Sequence, residues 1–142
     1  MTAKEFLSQA RIIDLQIDSK IAQVEQLNLL AQKCTATISD MPKNPNRGSS
    51  KLEDTVCKIV DLQAEINRDI NGLIDIKQKI ILIIKQVVNT ELQIVLEKRY
   101  LCFESWKDIS DEMNYSKQHI YRLHSTALGE VDKILKDESR IC

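Results

Sequence analysis

Two long stretches of the chain repeat apolar side chains every three or four positions. This spacing places the apolar side chains on one face of an α-helix, so each stretch predicts one long helix. In the first stretch, residues 3–39, the repeating positions are Phe6, Ala10, Ile13, Ile17, Ile21, Val24, Leu27, Ala31, Cys34 and Ile38. In the second stretch they are Val56, Ile59, Leu62, Ile66, Ile70, Leu73, Ile76, Ile80, Ile83 and Val87. Only 4% of the 142 residues are aromatic and only three are glycine, so the composition also favours an all-helical chain.

Residues 40–50 separate the two stretches. They contain both prolines of the chain and are rich in Asn and Ser, which is typical of a flexible loop. A capping box precedes each helix, formed by Thr2 with Glu5 and by Ser50 with Glu53. Two long helices joined by a short loop favour a long antiparallel helical hairpin with coiled-coil packing, which we assign to residues 1–88.

Several apolar residues lie off the hairpin seam. The stretch 80–84 is apolar on every side, which indicates a helix end that something else covers. Either the C-terminal domain or a second copy of the chain would cover it. We expect a homodimer, because one small domain cannot cover both ends of so long a hairpin. The residues off the seam are Leu15, Leu29, Leu30, Ile74, Ile81, Leu82 and Ile84.

The helical pattern stops at residues 87–90, where β-branched residues and the N-cap candidate Asn89 interrupt it. We therefore expect a second domain at residues 89–142. Its pattern predicts three shorter helices, at about 91–101, 106–113 and 117–136. Phe103 and Trp106 fit best as core residues of this domain.

Residues 105–125 match the register of a helix-turn-helix. Ser105, with Asp108 three positions on, caps one helix, and Ser116 caps the next. Asn114 stands at the turn position that requires a left-handed backbone, where Asn is the most tolerant residue after Gly. The remaining requirements are a small residue where the helices touch, a buried turn residue and apolar inner faces, which are supplied by Ser110, Tyr115, Ile109, Met113, Ile120 and Leu123.

The outward face of the second helix predicts contact with DNA. In this geometry the recognition helix, here residues 117–128, lies in the major groove. Gln pairs with adenine, Arg and Lys pair with guanine, and no acidic residue occurs between Ser116 and Ser125. The alternative is an ordinary solvated helix face. The candidate DNA-binding residues are Ser116, Lys117, Gln118, Tyr121, Arg122 and Ser125, with His119 at the edge of the face.

Charge limits this interpretation. The formal net charge is −1, and residues 91–142 hold ten acidic and eight basic residues. A single domain with this balance would bind DNA weakly. We therefore expect either two copies in a dimer or help from RNA polymerase.

Several segments resemble region 4 of bacterial sigma factors: residues 96–101, 105–110, 113–116, 120–124 and 127–128. The whole chain is also similar to a family of small phage and prophage proteins of Gram-positive bacteria, related to late-transcription regulators of the ArpU and RinA type. This resemblance implies DNA binding near a promoter, or contact with RNA polymerase, rather than catalysis. The chain departs from the sigma pattern at Ser110, normally Ala, and at Asn114, normally Gly.

Other functional classes find less support. The serious alternative is a non-enzymatic protein–protein interaction module that uses the hairpin and keeps the helix-turn-helix as a scaffold. We expect no enzyme activity, cofactor or small-molecule substrate, because the chain has no Gly-rich loop and no carboxylate pair in an apolar setting.

Metal, disulfide and membrane sites are not expected either. His119 and His124 are five positions apart and therefore lie on different helix faces. The four cysteines form no CxxC pair, and two of them, Cys34 and Cys57, fit helix core positions. No signal peptide opens the chain and residues 80–84 are too few to span a membrane, so we expect a cytoplasmic protein.

Overall fold

The computed structural model describes residues 1–40 and 49–141, and these form helices without any β-strand among them. The all-helical prediction is thereby confirmed. The five α-helices of this described part are α1 (Ala3–Asp40), α2 (Ser49–Lys85), α3 (Thr90–Leu96), α4 (Trp106–Met113) and α5 (Lys117–Ile141). A π-helical turn, Glu97–Leu101, extends α3. Most of the predicted loop 40–50, and the side chains of Ile38, Ser50 and Cys142, lie outside the described residues.

Local hydrogen bonds explain where the helices begin. Thr2 and Glu5 form the predicted capping box, with the Thr2 N–H donating to Oε2 of Glu5 (3.3 Å) and the Glu5 N–H donating to Oγ1 of Thr2 (3.2 Å). Asn89 caps α3 by accepting from the N–H groups of Glu91 and Leu92. Helix α5 extends five residues beyond the predicted end at 136, because residues 137–141 include no Gly or Pro that would stop it.

The chain divides into two compact units: the middle unit, residues 15–73, and the terminal unit, residues 1–14 with 74–142. This division differs from the predicted domains 1–88 and 89–142. The physical reason is burial, since both the first turns of α1 and the last turns of α2 lie in the core of the terminal unit. The buried residues from these turns are Ala3, Phe6, Leu7, Ala10, Ile13, Ile80, Ile83, Ile84 and Val87.

The terminal unit covers much of the apolar stretch 80–84. Ile80, Ile83 and Ile84 are fully buried there, whereas Leu82 remains half exposed. An ion pair between Lys77 Nζ and Asp14 Oδ1 (2.5 Å) joins α2 to α1 beside this core. Within residues 1–40 and 49–141, no helix combines the length and the apolarity that crossing a membrane requires.

Two polar contacts join α1 to α2 in the middle unit. Lys20 pairs with Asp69 (3.4 Å), and Gln63 donates to Asn28 (2.5 Å), so contacts ascend along α1 as they descend along α2.

Burial in the middle unit is sparse. Among the described side chains of this unit, Ile59 is the one buried hydrophobic residue. Two helices share a single line of contact, so side chains at its edges stay in water. Ile21 and Leu62, predicted to lie in the seam, are 43% and 48% exposed. The prediction that Cys34 and Cys57 occupy the core is wrong, since Cys57 is exposed and Cys34 is only partly buried.

The assignment of the first turns of α1 to the terminal unit predicts the effect of truncating Leu7. Leu7 is fully buried, so Leu7→Ala is expected to lower the free energy of unfolding by about 2–5 kcal/mol. Ile12→Ala, at an exposed position of the same helix, is the control and is expected to cost less than about 0.5 kcal/mol. Urea unfolding followed by Trp106 fluorescence measures both, and equal losses would contradict the assignment.

Candidate nucleic-acid interface

A tight turn fixes α5 against α4. Asn114 ends α4 in the left-handed conformation (φ 58°, ψ 38°), as its position in the sequence predicted. Its N–H and the N–H of Tyr115 (3.2 Å) both donate to the Ser110 carbonyl. The Ser110 hydroxyl in turn donates to the Tyr115 carbonyl. A hydroxyl at position 110 therefore closes the turn with a hydrogen bond that Ala would not supply.

Serine side chains cap both helices of this pair, as predicted. Oγ of Ser105 accepts from the Asp108 N–H (3.2 Å) at the start of α4. Oγ of Ser116 accepts from the His119 N–H (3.2 Å) at the start of α5. Each cap satisfies a backbone donor that the helix cannot pair by itself, so both helix starts are fixed by local sequence.

The inner faces of α4 and α5 meet at Ile109 and Ile120, which are both fully buried. Met113 and Leu123 flank this contact and are partly buried. The prediction that Tyr115 is buried is wrong, because its ring is only partly covered. Its hydroxyl instead donates to Oε1 of Glu91 (2.7 Å), and this bond raises the pKa of the phenol. Tyr115 thus ties the turn to the start of α3.

All six candidate DNA-binding residues lie in exposed positions. With roughly 100° between successive helix residues, the five on α5 fall within an arc of roughly 140°. The opposite arc of the helix carries Ile120, Ala127 and Val131, which are fully buried. The sixth residue, Ser116, stands at the N-cap. The exposed set is Ser116, Lys117, Gln118, Tyr121, Arg122 and Ser125.

His124 is partly buried and lies just beyond the Lys117 edge of this arc. Its Nε2 lies 2.6 Å from the Tyr100 hydroxyl, and its ring meets the Trp106 ring with centroids 4.6 Å apart. Burial, together with the nearby cations Lys4 and Arg99, lowers the pKa of His124 to about 4. His124 is therefore neutral near pH 7 and adds no charge to the exposed arc.

Trp106 is the centre of an aromatic and cationic cluster. Cζ of Arg99 lies 4.4 Å from the centroid of its ring, and the Tyr121 ring meets it edge-on at 5.4 Å. The expectation that Phe103 is a core residue is wrong. Phe103 is 37% exposed and has a positive φ of 58°. The link from Arg99 through Trp106 to Tyr121 joins three different elements, so helical periodicity alone does not predict it.

Acidic and basic residues balance in the terminal unit, which holds thirteen of each kind. They are not uniformly paired. Lys98 contacts both Glu112 and Glu104, and its hydrogen bond lowers the pKa of Glu112. By contrast, Lys117 and Arg122 make no ion pair with any residue that the structure describes. The exposed arc of α5 is therefore locally cationic although the unit as a whole is neutral.

These features define an all-helical protein in which a capped turn supports one exposed, polar and cationic helix face. Residues 39–132 match the model of a family described as a protein of unknown function (DUF1492), and the chain belongs to this family. No curated protein and no solved structure matches the chain.

The environment of His124 predicts a pH dependence. Because its pKa is about 4 in the folded chain and 6.5 in the reference state, the unfolded chain binds more protons between these values. Stability should therefore fall as the pH falls from about 6.5 towards about 4. In urea unfolding across this range, His124→Gln is expected to flatten that fall, whereas the control His119→Gln keeps the wild-type profile. Parallel profiles for wild type and His124→Gln would refute the assignment.

Proposed function

We propose that this protein is a non-enzymatic, DNA-binding transcription regulator of phage type. In this proposal α4 and α5 form a helix-turn-helix, and residues 117–128 enter the major groove of DNA. The observation that carries the proposal is the single exposed arc formed by Lys117, Gln118, Tyr121 and Arg122. The capped turn holds this arc in a fixed orientation, and no acidic residue interrupts it.

The chemistry of the arc suits the two tasks of DNA recognition. Gln118 and Arg122 carry side chains that read adenine and guanine by paired hydrogen bonds. Lys117, at the first turn of α5, suits a phosphate, which the positive end of the helix dipole also attracts. The contact with Trp106 restricts the ring of Tyr121. Tyr121 is still 45% exposed, so it remains available to the DNA backbone.

Neutrality of the terminal unit argues for assistance in binding. A single neutral module gains little from counterion release, so we propose that two copies act together or that RNA polymerase contributes contacts. The proposed dimer forms through the middle unit, in which α1 and α2 make an antiparallel hairpin. Its exposed apolar side chains are Leu15, Ile21, Leu29, Leu30, Val60 and Leu62.

The reading face predicts which substitutions weaken DNA binding. The DNA sequences that the intact wild-type protein binds are first recovered by unbiased selection. On these sequences, Gln118→Ala and Arg122→Ala should each lose about 1–3 kcal/mol of specific binding free energy. Lys136→Ala, at an exposed position further along the same helix, is the matched control and should retain wild-type specificity. Fluorescence anisotropy at several salt concentrations measures the effect. The proposal would be rejected if the wild-type protein showed no salt-dependent binding to DNA. It would also be rejected if a variant carrying both Gln118→Ala and Arg122→Ala bound DNA as the wild type does.

A second candidate function is a protein–protein interaction module. The observation that favours it is the apolar groove of the middle unit, where Leu27, Leu62 and Ile66 face a cavity between α1 and α2. In this case the hairpin carries the function and the α4–α5 pair serves as a scaffold. Loss of DNA binding with retained self-association would favour this candidate.

The groove predicts the oligomeric state. Light scattering on the wild-type protein should give a mass near twice 16.3 kDa. Leu62→Glu should shift the protein towards the monomer, because dimerisation would bury a carboxylate. Val88→Glu, at an exposed position of the terminal unit, is the control and should leave the mass unchanged. A monomeric wild-type protein would exclude the dimer.

A further inference from the structure

The terminal unit contains a cavity of about 190 Å³ that two arginines help to line. One comes from α1 and the other from the π-helical turn after α3, so residues far apart in sequence form it together. The lining residues are Leu7, Ser8, Arg11, Arg99, Tyr100 and Phe103. A half-enclosed space lined by two cationic residues and a serine suits an anion.

Neither arginine is neutralised by a carboxylate. Across residues 1–40 and 49–141, the structure shows no ion pair for Arg11 or Arg99. Arg99 is nevertheless held in place, since its Nη1 donates to the Glu104 carbonyl (3.0 Å) and its guanidinium lies over the Trp106 ring. An orientated guanidinium with unused donors binds a tetrahedral oxyanion in a bidentate manner, which a lysine does not match.

Phe103 forms the wall of the cavity in an unfavourable backbone conformation. Its positive φ of 58° is rare for a bulky residue. Backbone hydrogen bonds on both sides maintain it, from the Cys102 N–H to the Glu97 carbonyl and from the Glu104 N–H to the Lys98 carbonyl, each 3.0 Å. Strain of this kind concentrates at binding sites, where the surrounding structure enforces it.

The cavity is adjacent to the exposed arc of α5. Trp106 contacts Arg99 on its face and Tyr121 at its edge, which limits the distance from Cζ of Arg99 to the Tyr121 ring to about 10 Å. The major groove of DNA is about 12 Å wide. Arg99 therefore lies no further from the reading face than the groove is wide, which is the scale on which a phosphate beside the groove would be contacted.

We propose that Arg11, Arg99 and the hydroxyl of Ser8 bind a phosphate group of the DNA backbone beside the groove that α5 reads. This inference rests on the proposed function and extends it, because it makes the first turns of α1 part of the DNA interface. It also explains how a unit with no net charge could bind DNA, because two cations would act at one phosphate while the acidic residues lie elsewhere. A free phosphate ester carries the same chemical group and is the alternative ligand, which the test below distinguishes from the DNA backbone.

Salt dependence of DNA binding provides the first arm of the test. Arg11→Ala should weaken binding equally for every DNA sequence and reduce the slope of log binding constant against log salt concentration by about one. Arg11→Lys should restore much of the slope, because it restores the charge. Arg140→Ala is the control, since position 140 is exposed and lies roughly 34 Å along α5 from Lys117. A wild-type slope for Arg11→Ala, with DNA binding intact, would overturn the backbone assignment.

The second arm omits DNA. Inorganic phosphate is titrated into the intact protein while Trp106 fluorescence is followed, because Trp106 contacts Arg99 directly. A saturable change in the wild type, absent in Arg11→Ala, supports the phosphate site. If the wild type binds phosphate but not DNA, the proposed function fails and a free phosphate ester replaces the backbone. The cavity proposal alone is rejected if the wild type binds DNA, phosphate does not change its Trp106 fluorescence, and Arg11→Ala leaves both the salt slope and the fluorescence unchanged.

Discussion

The left-handed turn at Asn114 is the constraint on which the exposed face of α5 depends. It lets the chain change direction between α4 and α5, and the Ser110 hydroxyl stabilises the turn by donating to the Tyr115 carbonyl. With the turn fixed, Ile109 and Ile120 meet and set the rotation of α5 about its axis. That rotation determines the direction of every residue in the exposed arc, because a helix is rigid over so few turns. An Asn in place of the more permissive Gly is acceptable here because its side chain tolerates positive φ.

Local features of the fold could be predicted from the sequence. The caps at Thr2, Asn89, Ser105 and Ser116 depend on residues within three positions of one another, and the left-handed residue depends on Asn114 alone. The outward placement of the α5 residues follows from helical periodicity once the inner residues are known. These inferences require no knowledge of which distant segments meet.

Long-range features could not be predicted in this way. The apolar stripe of α1 is continuous from Phe6 onwards, yet its first turns lie in the terminal unit and the rest lies in the middle unit. Periodicity identifies a buried face but not the partner that buries it. For the same reason the sequence did not reveal that His124 packs against Tyr100 and Trp106, nor that Arg11 and Arg99 share a cavity. Each of these contacts joins elements that are separated along the chain.

Net charge conceals a polarised distribution in the terminal unit. Several of its carboxylates are occupied by internal partners: Asp14 by Lys77, Glu112 by Lys98, Glu91 by the Tyr115 hydroxyl, and Asp132 by the Ala3 N–H. These contacts hold four carboxylates against donors within the unit, while Lys117, Arg122 and Arg11 have no carboxylate partner in the described chain. A unit with equal numbers of acids and bases can therefore present a cationic surface at close range. Because salt screens interactions beyond roughly 10 Å, the local surface governs the approach of a polyanion more than the total charge does.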